Sequence, residues 1–153
     1  MHRQTEKVLT ASACSYGALR RAMRSMGLIY DQALAPTGIN TAQFNLLRTV
    51  ERLGSPTQSE LAGDMVMDLS ALGHTLKPLV REGFLSLEKD TNDGRRRIVT
   101  LTKDGRDKVK EAKLCWKPTQ RRFESAMGAE ESGQLLVLLD HLASSVFRET
   151  FLK

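Results

Sequence analysis

This chain has few of the residues from which enzyme sites and disulfide-stapled folds are built. Its 153 residues include two cysteines, Cys14 and Cys115. They stand far apart without metal-ligand spacing, which argues against structural zinc and a disulfide framework and predicts thiols in a reducing compartment. The three histidines, His2, His74 and His141, are scattered. No phosphate-binding loop or nucleophile motif accompanies them, so an enzyme is disfavoured and no cofactor is implied. No apolar run approaches the roughly 18 residues of a membrane span. The start, Met1-His2-Arg3-Gln4-Thr5-Glu6-Lys7, lacks the apolar centre of a signal peptide, and a cytoplasmic protein without a membrane partner is expected. Acid is the scarcer charge, with 18 Asp+Glu against 23 Lys+Arg and a formal net charge of +5, a balance that suits a polyanionic partner. The length fits one domain, or one domain with an attached oligomerisation element.

What the chain does have is Asp93-Gly94-Arg95-Arg96-Arg97. Asp-Gly tolerates φ > 0 at both residues and predicts a tight turn between the apolar runs Phe84-Leu85-Ser86-Leu87 and Ile98-Val99-Thr100-Leu101. Three consecutive guanidinium groups at a hairpin tip are either a solvated turn or a grip on nucleic acid. With no acid among them and two short helix patterns upstream, the second reading is favoured.

The remaining pattern is helical. Tyr16, Leu19, Met23, Met26 and Tyr30 step by three and four, predicting a first helix over about 11–34 that Pro36 and Gly38 end. Asn40-Thr41-Ala42-Gln43 and Thr57-Gln58-Ser59-Glu60 are capping boxes that open two further helices. Asp68 is placed to cap a fourth, whose buried face is Leu72, Leu76, Leu79 and Val80. Pro78 either bends this helix or ends it early. Outside it lie Ser70, Ala71, Gly73, His74 and Lys77, small enough to approach base edges and, in Ser70, His74 and Lys77, able to read them. Thr102 caps a fifth helix that Pro118 is expected to kink and Gly128 to close. A last helix carries Leu135 to Leu139, Leu142, Val146 and Phe147, apolar on more than one side. It predicts a two-fold dimer, with packing inside one chain as the alternative.

Laid out this way, the chain resembles the MarR (multiple antibiotic resistance) regulators over about residues 11–150. The matching elements are Tyr30 to Gly38, Gln43-Phe44-Asn45-Leu46-Leu47, Glu60-Leu61-Ala62, Met67-Asp68, Leu76 to Phe84, the turn Asp93 to Arg97, and Leu101-Thr102-Lys103-Asp104-Gly105. The fold class expected is mostly α with a small β-hairpin wing, a winged helix-turn-helix with N- and C-terminal dimerisation helices. It would form a single domain over 1–153, with the DNA-binding lobe at 40–101 and dimerisation helices at 11–35 and 102–150. The resemblance implies a homodimeric transcriptional regulator, usually a repressor, on a pseudo-palindromic operator in double-stranded DNA. It also implies that Asp93 orients Arg95 toward phosphate or minor groove, with Arg96 and Arg97 beside it, and that a small, aromatic or anionic effector modulates binding. Tyr30, Phe44 and Trp116 with Arg20 or Arg24 are candidates to line the effector pocket, or else plain core. Where family members commonly carry Arg and Ser/Thr, this recognition helix has Leu69, Ala71 and Gly73. Relatives that sense hydroperoxides use a cysteine in the first helix, which makes a redox switch at Cys14 the alternative function. Counted back from Gln43, however, Cys14 is out of register, and Ala18 stands where the partner tyrosine is expected.

Overall fold

The structure, a computed structural model, describes residues 14–153. His2 and the part of the first helix expected over 11–13 lie outside the described residues. The order is α1 (Ser15–Leu34), a 3-10 turn (Ala35–Thr37), α2 (Thr41–Leu53), α3 (Gln58–Asp64), α4 (Leu69–Arg81), β1 (Leu85–Lys89), β2 (Arg97–Leu101), α5 (Lys103–Met127), α6 (Ala129–Ala143) and α7 (Ser145–Phe151). The fold is mostly helical with one antiparallel hairpin, as the sequence predicts. No described helix is long and apolar enough to cross a membrane.

Local chemistry explains where the helices begin. Asn40 accepts from the Gln43 amide at 2.9 Å while the Gln43 side chain accepts the Asn40 amide, and Thr57 and Glu60 make the same reciprocal box. Asp68 accepts from the Ala71 amide at 2.7 Å, and Thr102 accepts from Gly105 at 3.0 Å. Each cap satisfies an amide that the first helical turn leaves without a partner, typically stabilising by about 1 kcal/mol. Gly38, at φ 75°, ends the 3-10 turn in the left-handed region.

One core joins these elements. Leu34, Phe44, Leu47 and Val50 meet Leu61, Leu72, Leu76 and Leu79, and Leu85, Val99 and Val109 close it from the hairpin and α5. β1 pairs with β2 from Leu85↔Leu101 to Lys89↔Arg97. The other edge of β2 is also occupied, since the Val99 amide donates to the Pro56 carbonyl at 2.8 Å and Thr57 bridges Ile98. That attachment ties the hairpin to the loop before α3. A single bridge leaves no alternating pattern, so the sequence carries no signal for it.

Several expectations change. The hairpin tip is not a two-residue turn: neither Asp93 nor Gly94 has a positive φ, and the strands are joined by the segment 90–96. Its acid side chains are the reason. Asp90 accepts from Asn92 at 2.9 Å and Asp93 from Arg95 at 3.1 Å, so Asx turns set the backbone in place of left-handed residues. Pro78 does not end α4, which runs on to Arg81, and α5 is continuous through Pro118. Each proline removes one amide donor while packing on either side holds the helix. The last predicted helix is two. Ser144 adopts ψ 150°, donates to the His141 carbonyl at 2.7 Å and caps the Phe147 amide at 3.1 Å, ending α6 and starting α7.

Candidate nucleic-acid interface

Leu72, Leu76 and Leu79 anchor α4 in the core, which decides what its opposite side presents. Ser70, His74, Lys77 and Arg81 recur at steps of four, three and four and are all exposed, so one stripe of hydrogen-bonding and cationic groups runs the length of the helix. Ala71 and Gly73 flank it, half-buried. Between α3 and α4 the chain turns through Val66 at φ 53°, an uncommon conformation for a β-branched residue, with the Met67 amide donating to Ala62 at 2.9 Å.

The wing stands beside this helix pair. Within its loop the Arg96 amide donates to the Asp93 carbonyl at 2.8 Å and the Asp90 amide to the Arg96 carbonyl at 3.1 Å. The Asp93 carboxylate accepts from the Arg95 amide and, at 3.4 Å, from its Nε. The Arg95 side chain is nonetheless 95% exposed. An exposed ion pair of this kind contributes little stability, about 0–1 kcal/mol. Arg96 stands near α3: the Thr57 amide and hydroxyl hold the Glu60 carboxyl below the usual carboxylate range, and the Arg96 charge adds to that.

The residues proposed for an effector pocket are only partly brought together. Phe44 and Trp116 meet at 6.3 Å between ring centroids, and Phe44 belongs to the core. Tyr30 is buried and donates to Gln120 Oε1 at 2.6 Å. Burial, with the Glu124 charge adding, pushes its hydroxyl above the usual phenol range. Arg20 lies over Tyr16 instead, and Arg24 is exposed on α1. The cation at the aromatic pair is Arg48, which the sequence reading missed: its guanidinium lies 4.5 Å over Trp116 and 5.6 Å from Phe44. In the cleft beside it, of about 580 Å³, Arg52 is paired with Asp64 and Lys113 with Glu51, while Arg48 makes no ion pair among the described residues. Its place one turn after Phe44 on α2 was the available clue. A second cavity, of about 700 Å³, opens between α1 and α5 with Met26, Ile29, Arg122 and Phe123 in its walls. Cys14 is exposed at the start of α1, and Cys115 is half-buried against the core.

This arrangement has relatives. Residues 39–96, the stretch from the α2 cap to the wing tip, match the MarR family. YwhA of Bacillus subtilis, an uncharacterized HTH-type transcriptional regulator, is 32% identical over 76 residues, covering 50% of this chain but only 55% of YwhA. MOSR of Mycobacterium tuberculosis, solved in complex with DNA, superimposes with a TM-score of 0.73 at 28% identity, over 82% of this chain and 92% of that one. BpsR of Bordetella bronchiseptica, whose DNA binding is regulated by 6-hydroxynicotinic acid, shares the fold with a TM-score of 0.77 at 22% identity, over 88% and 96% of the two chains. The matched stretch sits within the helical frame that this chain shares with MOSR and BpsR, with α1 before it and α5 after.

Proposed function

We propose that this chain is a sequence-specific transcriptional regulator, a repressor, that grips a pseudo-palindromic operator as a homodimer and is modulated by a small aromatic or anionic effector. The observation that carries this reading is the single open face of α4, Ser70, His74, Lys77 and Arg81, beside a wing on which Asp93 holds Arg95 outward. In this reading residues 40–101 are the DNA-binding lobe, and 11–35 with 102–150 form the dimer. Arg95, Arg96 and Arg97 meet phosphates and supply affinity, while Ser70, His74 and Lys77 reach base edges from the major groove and supply sequence preference. MOSR, solved with DNA, supports the choice of partner. The effector is supported by BpsR and by Arg48, a half-buried cation beside Trp116 with no acid partner among the described residues.

The test separates wing from recognition helix. Operator selected from random duplexes is measured against unrelated DNA in shift assays over a range of salt, with and without aromatic acids. Arg95→Ala is expected to weaken both DNAs alike and to lower the log–log salt slope by about one unit for each phosphate that is no longer neutralised. His74→Ala is expected to cost about 1–3 kcal/mol at one operator position and to spare random DNA. An Arg95→Ala protein that folds normally and keeps both affinities and the slope would refute the wing assignment.

A further inference from the structure

Two residues of α4 have no explanation inside the protein. Leu69, the first residue of the helix, is 57% exposed and outside the core cluster. Gly73 follows four positions later on the same side, in mid-helix, where glycine is the least favourable residue short of proline. Its φ is not positive, and a Cβ built on it would meet nothing within 4 Å, so neither backbone conformation nor packing requires a glycine. A large apolar side chain left in water beside a gap in the helix surface is costly twice over to the free protein. On the flank between the buried face and the exposed stripe, Leu69 and the open space over Gly73 lie one turn apart, with Lys77 one turn further on.

We propose that Leu69 and Gly73 recognise the C5 methyl group of a thymine in each operator half-site, an inference that rests on the DNA-binding reading above. The thymine methyl is the one apolar group that base edges present in the major groove, and an aliphatic side chain near a helix N-terminus is suited to contact it. Gly73 lets the helix axis approach until Leu69 closes over the methyl. Ser70 and His74, on the adjoining stripe, remain free for polar base atoms.

The experiment begins with operator selected by the wild-type protein from random duplexes, after which each thymine is replaced singly by deoxyuridine, which lacks only that methyl. At one thymine per half-site the replacement is expected to weaken wild-type binding about fourfold, the worth of one buried methyl. Leu69→Ala should bind operator more weakly and respond equally to thymine and deoxyuridine there, while Leu69→Met should keep the discrimination. Gly73→Ala should melt about 2–4 °C higher, because alanine favours the helix, and yet bind operator several-fold more weakly. Circular dichroism confirms that each variant is folded. The inference is overturned if no thymine is methyl-sensitive, if Leu69→Ala keeps the wild-type response, or if Gly73→Ala binds operator as well as wild type does. If the wild type selects no duplex at all, the regulator reading itself has failed before any substitution is made.

Discussion

Asp31 and Glu60 are exposed carboxylates that act through backbone amides rather than through ion pairs. Asp31 accepts from the Thr41 amide at 2.7 Å, tying the end of α1 to the start of α2, and Thr41 holds its carboxyl below the usual range. Glu60 does the same for Thr57 at the start of α3. Both folded-state values are depressed, so their contribution is complete above the unfolded values, about 3.9 for Asp and 4.3 for Glu. It is lost as pH falls through the lower folded values. Urea midpoints should therefore decline as pH drops below about 4, and the decline should be shallower in Asp31→Asn combined with Glu60→Gln. An identical acid profile for that double variant would show that these caps do not couple to folding. At the alkaline end the sign reverses for Tyr30, whose raised value keeps the phenol neutral in the fold and makes stability fall as pH rises above about 10.

Among the elements, the junction of β1, β2 and α5 leaves the least room. The Thr102 amide donates to the Phe84 carbonyl at 3.1 Å, and the Thr102 hydroxyl donates to Gly83 and caps α5. One turn later a Cβ on Gly105 would run into that same Phe84 carbonyl oxygen. Gly105→Ala therefore forces α5 away from the base of the wing, with an expected cost of about 1–3 kcal/mol or more despite the better helix propensity of alanine. Gly94→Ala is the contrast: with nothing within 4 Å of its Cβ and no positive φ, it should change stability by less than about 0.5 kcal/mol. Equilibrium urea unfolding of the two variants checks both values. A Gly105→Ala protein as stable as the parent would mean that the α5 junction relaxes freely.

The described residues expose more apolar surface than a lone chain of this size normally leaves open. Tyr16, Leu19 and Met23 on α1, Leu136, Val137, Leu139 and Leu142 on α6, and Val146 and Phe151 on α7 are all exposed. α6 packs on α5 in the same chain, yet Val137 is still 70% exposed. Contiguous faces of this kind belong to interfaces, and a two-fold pairing of the terminal helices is the simplest closure. Aspartate at Leu136 and Val137 should leave the single chain folded, since both side chains already face water, but should shift sedimentation to a monomer and remove operator binding. Ending the chain at Gly128 should be harsher, giving monomer or aggregate. A dimeric, fully binding Leu136→Asp/Val137→Asp protein would place the interface elsewhere.

The sequence by itself determined where four of the helices begin and which face of α4 turns inward. Asn40, Thr57, Asp68 and Thr102 cap in the structure where their spacing to Gln43, Glu60, Ala71 and Gly105 says they should, because capping is a contact over three residues. The buried stripe of α4 and the two strands were legible for the same reason, being periodic within a few residues. Longer-range features were not. The Pro56–Thr57 segment on the outer edge of β2, the stacking of Arg48 on Trp116 and the need for glycine at 105 each join residues distant in sequence. The wing tip and the prolines went the other way. Local rules assigned a tight Asp-Gly turn and a kink at Pro118, whereas the carboxylates of Asp90 and Asp93 set a seven-residue loop and α5, packed against α1 and α2, is continuous through its proline. Local preferences at such sites amount to about 1–3 kcal/mol, which hydrogen bonds and burial contributed by the rest of the molecule can outweigh.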